Sequence, residues 1–133
     1  MAMTFTPPFV QVPIVAEGSL VAPTAVTART NITGTTGLLQ LSNTSTNGLR
    51  VDSISVKGAG TTAAGLIFVW LYNGTTSYLI DEIICSAVTP STTVAGDYNA
   101  KLYQNFTLPP TYQLFVSSTI SQNYNVTLYG GAY

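Results

Sequence analysis

Apolar and polar residues alternate along this chain with a period of two, in short runs cut by Gly, Pro and Asn. No stretch holds a helical period over a dozen residues. Thr, Val, Ile and Tyr dominate the runs, and their bulk near Cβ suits a pleated sheet. Leu66-Ile67-Phe68-Val69-Trp70-Leu71-Tyr72 is continuously apolar and predicts the most central strand. Asn73-Gly74 follows, and then Tyr78-Leu79-Ile80. Asn-Gly takes positive φ readily, so a tight antiparallel hairpin is predicted, with its return strand ending near Ser86. Further back, Leu49 and Val51 share one parity while Ile54 and Val56 share the other. A parity switch inside one run predicts a β-bulge near Asp52-Ser53.

Other runs are shorter. Leu38-Leu39-Gln40-Leu41 reads as a strand, and Thr24 to Ile32 as a weak one. Lys101 to Leu108 puts Leu102, Gln104, Phe106 and Leu108 on one predicted face, and Pro109-Pro110 stops it. Tyr112, Leu114 and Val116 alternate, as do Tyr124, Val126 and Leu128. Two long connections, 58–65 and 87–100, suit links between sheets. About eight strands at short, turn-marked spacing predict an all-β, single-domain β-sandwich, of jelly-roll type.

Residues 1–23 differ from the rest. Pro7, Pro8, Pro13 and Pro23 fix φ and remove donors, which excludes a central strand. Phe5, Phe9, Val10, Val12, Ile14 and Val15 nevertheless need a surface to lie on. We therefore expect an extended, Pro-rich N-terminal arm at 1–23 and a β-sandwich domain at 24–133. That surface is either the chain's own domain or a neighbouring subunit. Met1 to Pro8 lacks the charged and apolar regions of a secretory signal, and no window is apolar over the length of a membrane-spanning helix.

Composition sharpens the picture. The chain of 133 residues has no His, one Cys, four basic and five acidic side chains. Proton transfer, nucleophilic and metal chemistry draw on those residue types brought together, so no enzyme, cofactor or metal is expected. Asp81-Glu82 is the lone acidic pair, and neighbours on a strand point to opposite faces. Asp52 and Asp97 lack the close Asp spacing of a calcium loop. Gly58-Ala59-Gly60 lacks the Lys and helix of a phosphate loop. Lys57 and Lys101 have no motif that would pair them with a Ser nucleophile. Cys85, inside an apolar run, is expected to be a buried inert thiol. Arg29, Arg50, Lys57 and Lys101 are scattered, which argues against nucleic acid and against a membrane surface.

Charged residues are 7% of the chain, against about 25% in ordinary domains. So few charges favour association, and we expect homo-oligomers. The eight Tyr residues are the best contact candidates after the arm. Trp70, Tyr112 and Tyr124 alternate into strands and are expected in the core. Tyr98, Tyr103 and Tyr133 lie in or beside loops and the tail. The expected partner contacts are therefore Phe5, Phe9, Val12, Ile14, Tyr98, Tyr103 and Tyr133.

Phe68-Val69-Trp70-Leu71-Tyr72-Asn73-Gly74, Asp81-Glu82-Ile83 and Leu108-Pro109 occur within Thr-rich spacing across residues 26–129. In that style the chain resembles small tailed-bacteriophage proteins that decorate, or cement, the capsid. The resemblance implies a virion protein on the capsid surface, made in the host cytoplasm. It implies a β-rich fold, contact with the major capsid protein, often as homotrimers, and no enzymatic activity. Two alternatives stand beside it. One is a head- or tail-fibre module that binds host glycans through exposed Tyr. The other is a minor tail or capsid subunit.

Overall fold

The computed structural model describes residues 12–42 and 46–133. Among them there are ten strands and no helix. In chain order these are β1 (Val12–Leu20), β2 (Ile32–Thr33), β3 (Leu39–Gln40), β4 (Leu49–Gly58), β5 (Gly65–Tyr72), β6 (Thr76–Cys85), β7 (Tyr98–Leu102), β8 (Thr107–Leu108), β9 (Gln113–Ser118) and β10 (Tyr124–Ala132). They form two antiparallel sheets. The first runs β1-β10-β4-β7, with β8 also paired to β4. The second runs β2-β6-β5-β9-β3.

One core lies between the sheets. Val51, Ile54, Val56, Tyr124, Val126 and Leu128 face it from the first sheet. Ile67, Val69, Ile83, Leu114 and Val116 face it from the second. Each such side chain contributes roughly 1.5–3 kcal/mol on leaving water.

The central β5 is buried on both faces, as its unbroken apolar run predicts. Phe68 and Trp70 point away from the main core and form a second cluster with Phe115. Val26, Ile32 and Leu38 cover that cluster. The weak strand expected at 24–32 is therefore absent, and only Ile32–Thr33 pairs in a ladder. Val26, Ile32 and Leu38 are spaced too widely for a strand. Each instead drops onto the aromatic rings as the chain crosses the sheet. The Val26 N–H donates to the Ser118 carbonyl at 2.9 Å, which pins this strap in place.

The predicted bulge is present. Tyr129 pairs with Ser53 and Gly130 with Val51, so Asp52 is the extra residue. Opposite it, a Cβ on Gly130 would sit 1.9 Å from the Arg50 carbonyl oxygen, and only glycine fits. The hairpin also forms, with Asn73, Gly74 and Thr75 between β5 and β6. The Asn73 carboxamide oxygen accepts the N–H groups of Thr75 and Thr76, at 3.0 and 2.8 Å, and Gly74 has φ +100°.

The run expected from Lys101 to Leu108 is broken. Pairing with β4 begins earlier, at Tyr98, and ends at Leu102. Asn105 takes φ 56° and turns the chain before Leu108 rejoins β4. Leu102 is consequently exposed while Leu108 is buried, so the two do not share a face. Of the Pro-rich segment, Val12–Leu20 forms the nine-residue edge strand β1, paired along its length with β10. Pro13 is tolerated there because an edge strand leaves one side without ladder bonds. Phe5 and Phe9 lie outside the described residues.

Candidate functional site

The two outer faces of this fold are unlike. The second sheet hides its outer aromatics beneath the strap. The outer face of the first sheet carries no covering segment among the described residues. Register fixes what it presents. Val15 pairs with Tyr129, Tyr129 with Ser53, and Ser53 with Leu102. One row therefore crosses four strands, with Val15 64%, Tyr129 45% and Leu102 82% exposed. The next row is Glu17, Thr127, Ser55 and Ala100, and the third is Ser19, Asn125, Lys57 and Tyr98. The face thus combines an apolar row with small hydroxyl side chains and little charge. Such a surface loses little on dehydration and gains by burying its apolar row.

Apart from Glu17 and Lys57, the charged side chains are engaged with partners in the chain. Glu82 pairs with Arg29, whose guanidinium also lies 5.4 Å from the Phe68 ring centroid. Both hold the strap down on the second sheet. Asp81 points the other way, as the strand alternation predicts. It accepts the Tyr103 hydroxyl at 2.8 Å and lies 3.3 Å from the Lys101 ammonium. Burial alone would raise the Asp81 carboxyl. Tyr103, the Glu82 N–H and Lys101 outweigh it and hold that group below its ordinary value. Burial and the same carboxylate push the Tyr103 hydroxyl far up. Arg50 pairs with Asp52 beside the bulge at 2.8 Å.

The seven expected contact residues divide. Val12 and Tyr98 are exposed on the two edge strands of the first sheet. Ile14 is half-buried and packs on the main core, because its parity on β1 points inward. Tyr103 is also half-buried, held by Asp81 and by ring contact with Phe106 at 5.1 Å. Both are structural. Tyr133 is half-buried, its N–H donating to the Gly48 carbonyl at 3.2 Å. Phe5 and Phe9 are not described. Val15 belongs to the apolar N-terminal segment that the sequence marked as needing a surface, whereas sequence reasoning missed Tyr129 and Leu102. No local signal marks them, since their adjacency is created by pairing between distant strands.

The buried polar groups serve the fold. Asp97 accepts the Tyr124 hydroxyl at 2.9 Å and the Ser86 N–H at 3.0 Å, joining the loop before β7 to β10 and to the end of β6. Cys85 is buried as expected, and burial pushes its thiol pKa up, which suppresses reactivity. Four of the five carboxylates, Asp52, Asp81, Glu82 and Asp97, already accept a hydrogen bond or ion pair from this chain. No family model, curated protein or solved structure matches the chain.

Proposed function

We propose that this is a virion structural protein that decorates and cements a capsid, using the open face of the first sheet as its contact surface. The observation that carries the reading is the exposed row Val15, Tyr129 and Leu102, beside rows that hold one carboxylate, Glu17, and one ammonium, Lys57. The paired sheet, by contrast, buries its aromatics with its own strap. The scarcity of charge, nine residues in 133, supports a surface meant to be covered.

We further infer a jelly-roll arrangement. Strands β1-β10-β4-β7 in one sheet and β3-β9-β5-β6 in the other support it, with β2 added beyond β6. Consecutive strands β3, β4 and β5 alternate between the sheets, as two interlocked Greek keys require.

Each copy would bridge neighbouring major capsid subunits and associate with its own kind, as a trimer, with both contacts drawn from the open face. Binding only the assembled lattice shifts the equilibrium away from disassembly. The test is add-back to particles stripped of this protein. Wild-type protein should restore occupancy and raise the temperature of particle disruption. Leu102→Glu should do neither while keeping its fold. Equal occupancy by the two would overturn the reading. The fibre-module alternative predicts instead glycan binding that is lost on Tyr98→Ala.

A further inference from the structure

The open face carries two charges that no described residue neutralises. Arg29 pairs with Glu82, Arg50 with Asp52 and Lys101 with Asp81, and Asp97 accepts the Tyr124 hydroxyl. Of the nine charged side chains, Glu17 and Lys57 remain. One is an anion and the other a cation. Both are exposed, and both stand in the outward rows of the first sheet.

The two do not meet within one copy. Glu17 pairs with Thr127 and Thr127 with Ser55, while Lys57 lies two residues farther along β4. Two strand spacings and two residue steps separate their backbones, about 12 Å. The Lys57 ammonium also leans the other way, toward the loop before β7. A Cβ built on Gly96 would lie 2.8 Å from its Nζ. Glu17 thus sits at the β1 border of the face, and Lys57 at the β4–β7 border.

A face with an anion at one border and a cation at the other is complementary to a second copy of itself, head to tail. A contact between two different patches of this kind can close into a ring. Exposed apolar side chains flank both charges, Val15 beside Glu17 and Tyr98 in the row of Lys57. Burying them takes the ion pair out of water, and complementary charge then fixes register and suppresses wrong pairings.

We propose that the Glu17 carboxylate of one copy pairs with the Lys57 ammonium of the next, and that this pair sets the head-to-tail register of the self-contact. The proposal rests on the reading of the open face as the surface through which copies associate. Light scattering on Glu17→Lys, Lys57→Glu and the double swap tests it. Both side chains are exposed, so the circular dichroism spectra should match that of the wild type. Each single reversal sets like charges against each other and should weaken trimer formation at least about tenfold. The double swap restores opposite charges and should recover the wild-type mass.

A single variant with wild-type affinity, or a double swap that stays dissociated, would overturn the proposal. A defined wild-type dimer would mean reciprocal pairing about a two-fold axis and would overturn the head-to-tail register. Leu102→Glu separates this failure from that of the underlying reading. A trimer lost in Leu102→Glu but kept in both reversals would sink the ion pair and leave the open-face contact standing. A wild-type monomer would overturn both.

Discussion

Replacing Tyr124 with Phe removes one buried hydroxyl and, with it, the hydrogen bond to Asp97. The ring is fully buried on β10, and its hydroxyl donates to the buried Asp97 carboxylate at 2.9 Å. Phe keeps the packing and removes the donor. The Ser86 N–H then remains as the other donor to that oxygen, at 3.0 Å. Losing one hydrogen bond to a charged acceptor costs about 1.5–3 kcal/mol. For 133 residues the unfolding entropy near 60 °C is about 0.28 kcal/mol/K. A loss of about 2 kcal/mol therefore lowers Tm by about 7 °C.

Circular dichroism melts at pH 7 read this directly. Tyr124→Phe, Asp97→Asn and the double variant form a cycle, and the pair should show coupling of at least about 1 kcal/mol. An alkaline series adds an independent check. Burial pushes the Tyr124 hydroxyl up, and Cys85 and Asp97 push it the same way. A raised folded-state pKa stabilises the protein below the unfolded value of about 10, and that contribution is lost as pH rises. Tyr124→Phe should flatten the alkaline fall in stability. A Tm drop under about 2 °C, or strictly additive single variants, would refute the assigned bond.

Three further outcomes follow from the same structure. Gly130→Ala drives a methyl into the Arg50 carbonyl across the bulge, so little folded protein should accumulate, whereas a wild-type melt would remove the bulge as its cause. With no His in the chain, urea-derived stability should stay flat within about 0.5 kcal/mol from about pH 5 to 8.5. It should fall above about pH 9 as Cys85, Tyr103 and Tyr124 are drawn to ionise. It should fall again below about pH 4 as the lowered Asp81 protonates, and a transition near pH 6.5 would contradict both limbs. Ile14→Ser should cost about 1–2 kcal/mol of stability, because that side chain packs inward. An unchanged urea midpoint would place it at the surface instead.

The sequence carries the local features of this fold well. A parity switch located the bulge to Asp52-Ser53, because each side chain on a strand must choose a face. Asn73-Gly74 marked the hairpin through backbone chemistry that few residue pairs supply. The unbroken run at 66–72 identified the central strand. Its neighbours were beyond reach. The strap over Phe68 and Trp70 is written in widely spaced Val26, Ile32 and Leu38, which no two-residue or helical period detects. The split between β7 and β8 depends on Asn105 taking a left-handed conformation that many Asn residues avoid. The row of Val15, Tyr129 and Leu102 exists because β1, β10, β4 and β7 pair in one register. Long-range pairing of that kind leaves no trace in any short window.

The claim that the open face is a contact surface is tested most directly by solution mass. Light scattering at several concentrations should be measured for wild-type protein and for Leu102→Glu. Leu102 is 82% exposed, so the substitution should leave the circular dichroism spectrum unchanged. The account predicts a defined trimer for the wild type and a monomer for the variant. A wild-type chain that stays monomeric at every concentration, or a variant with the wild-type mass, would contradict it.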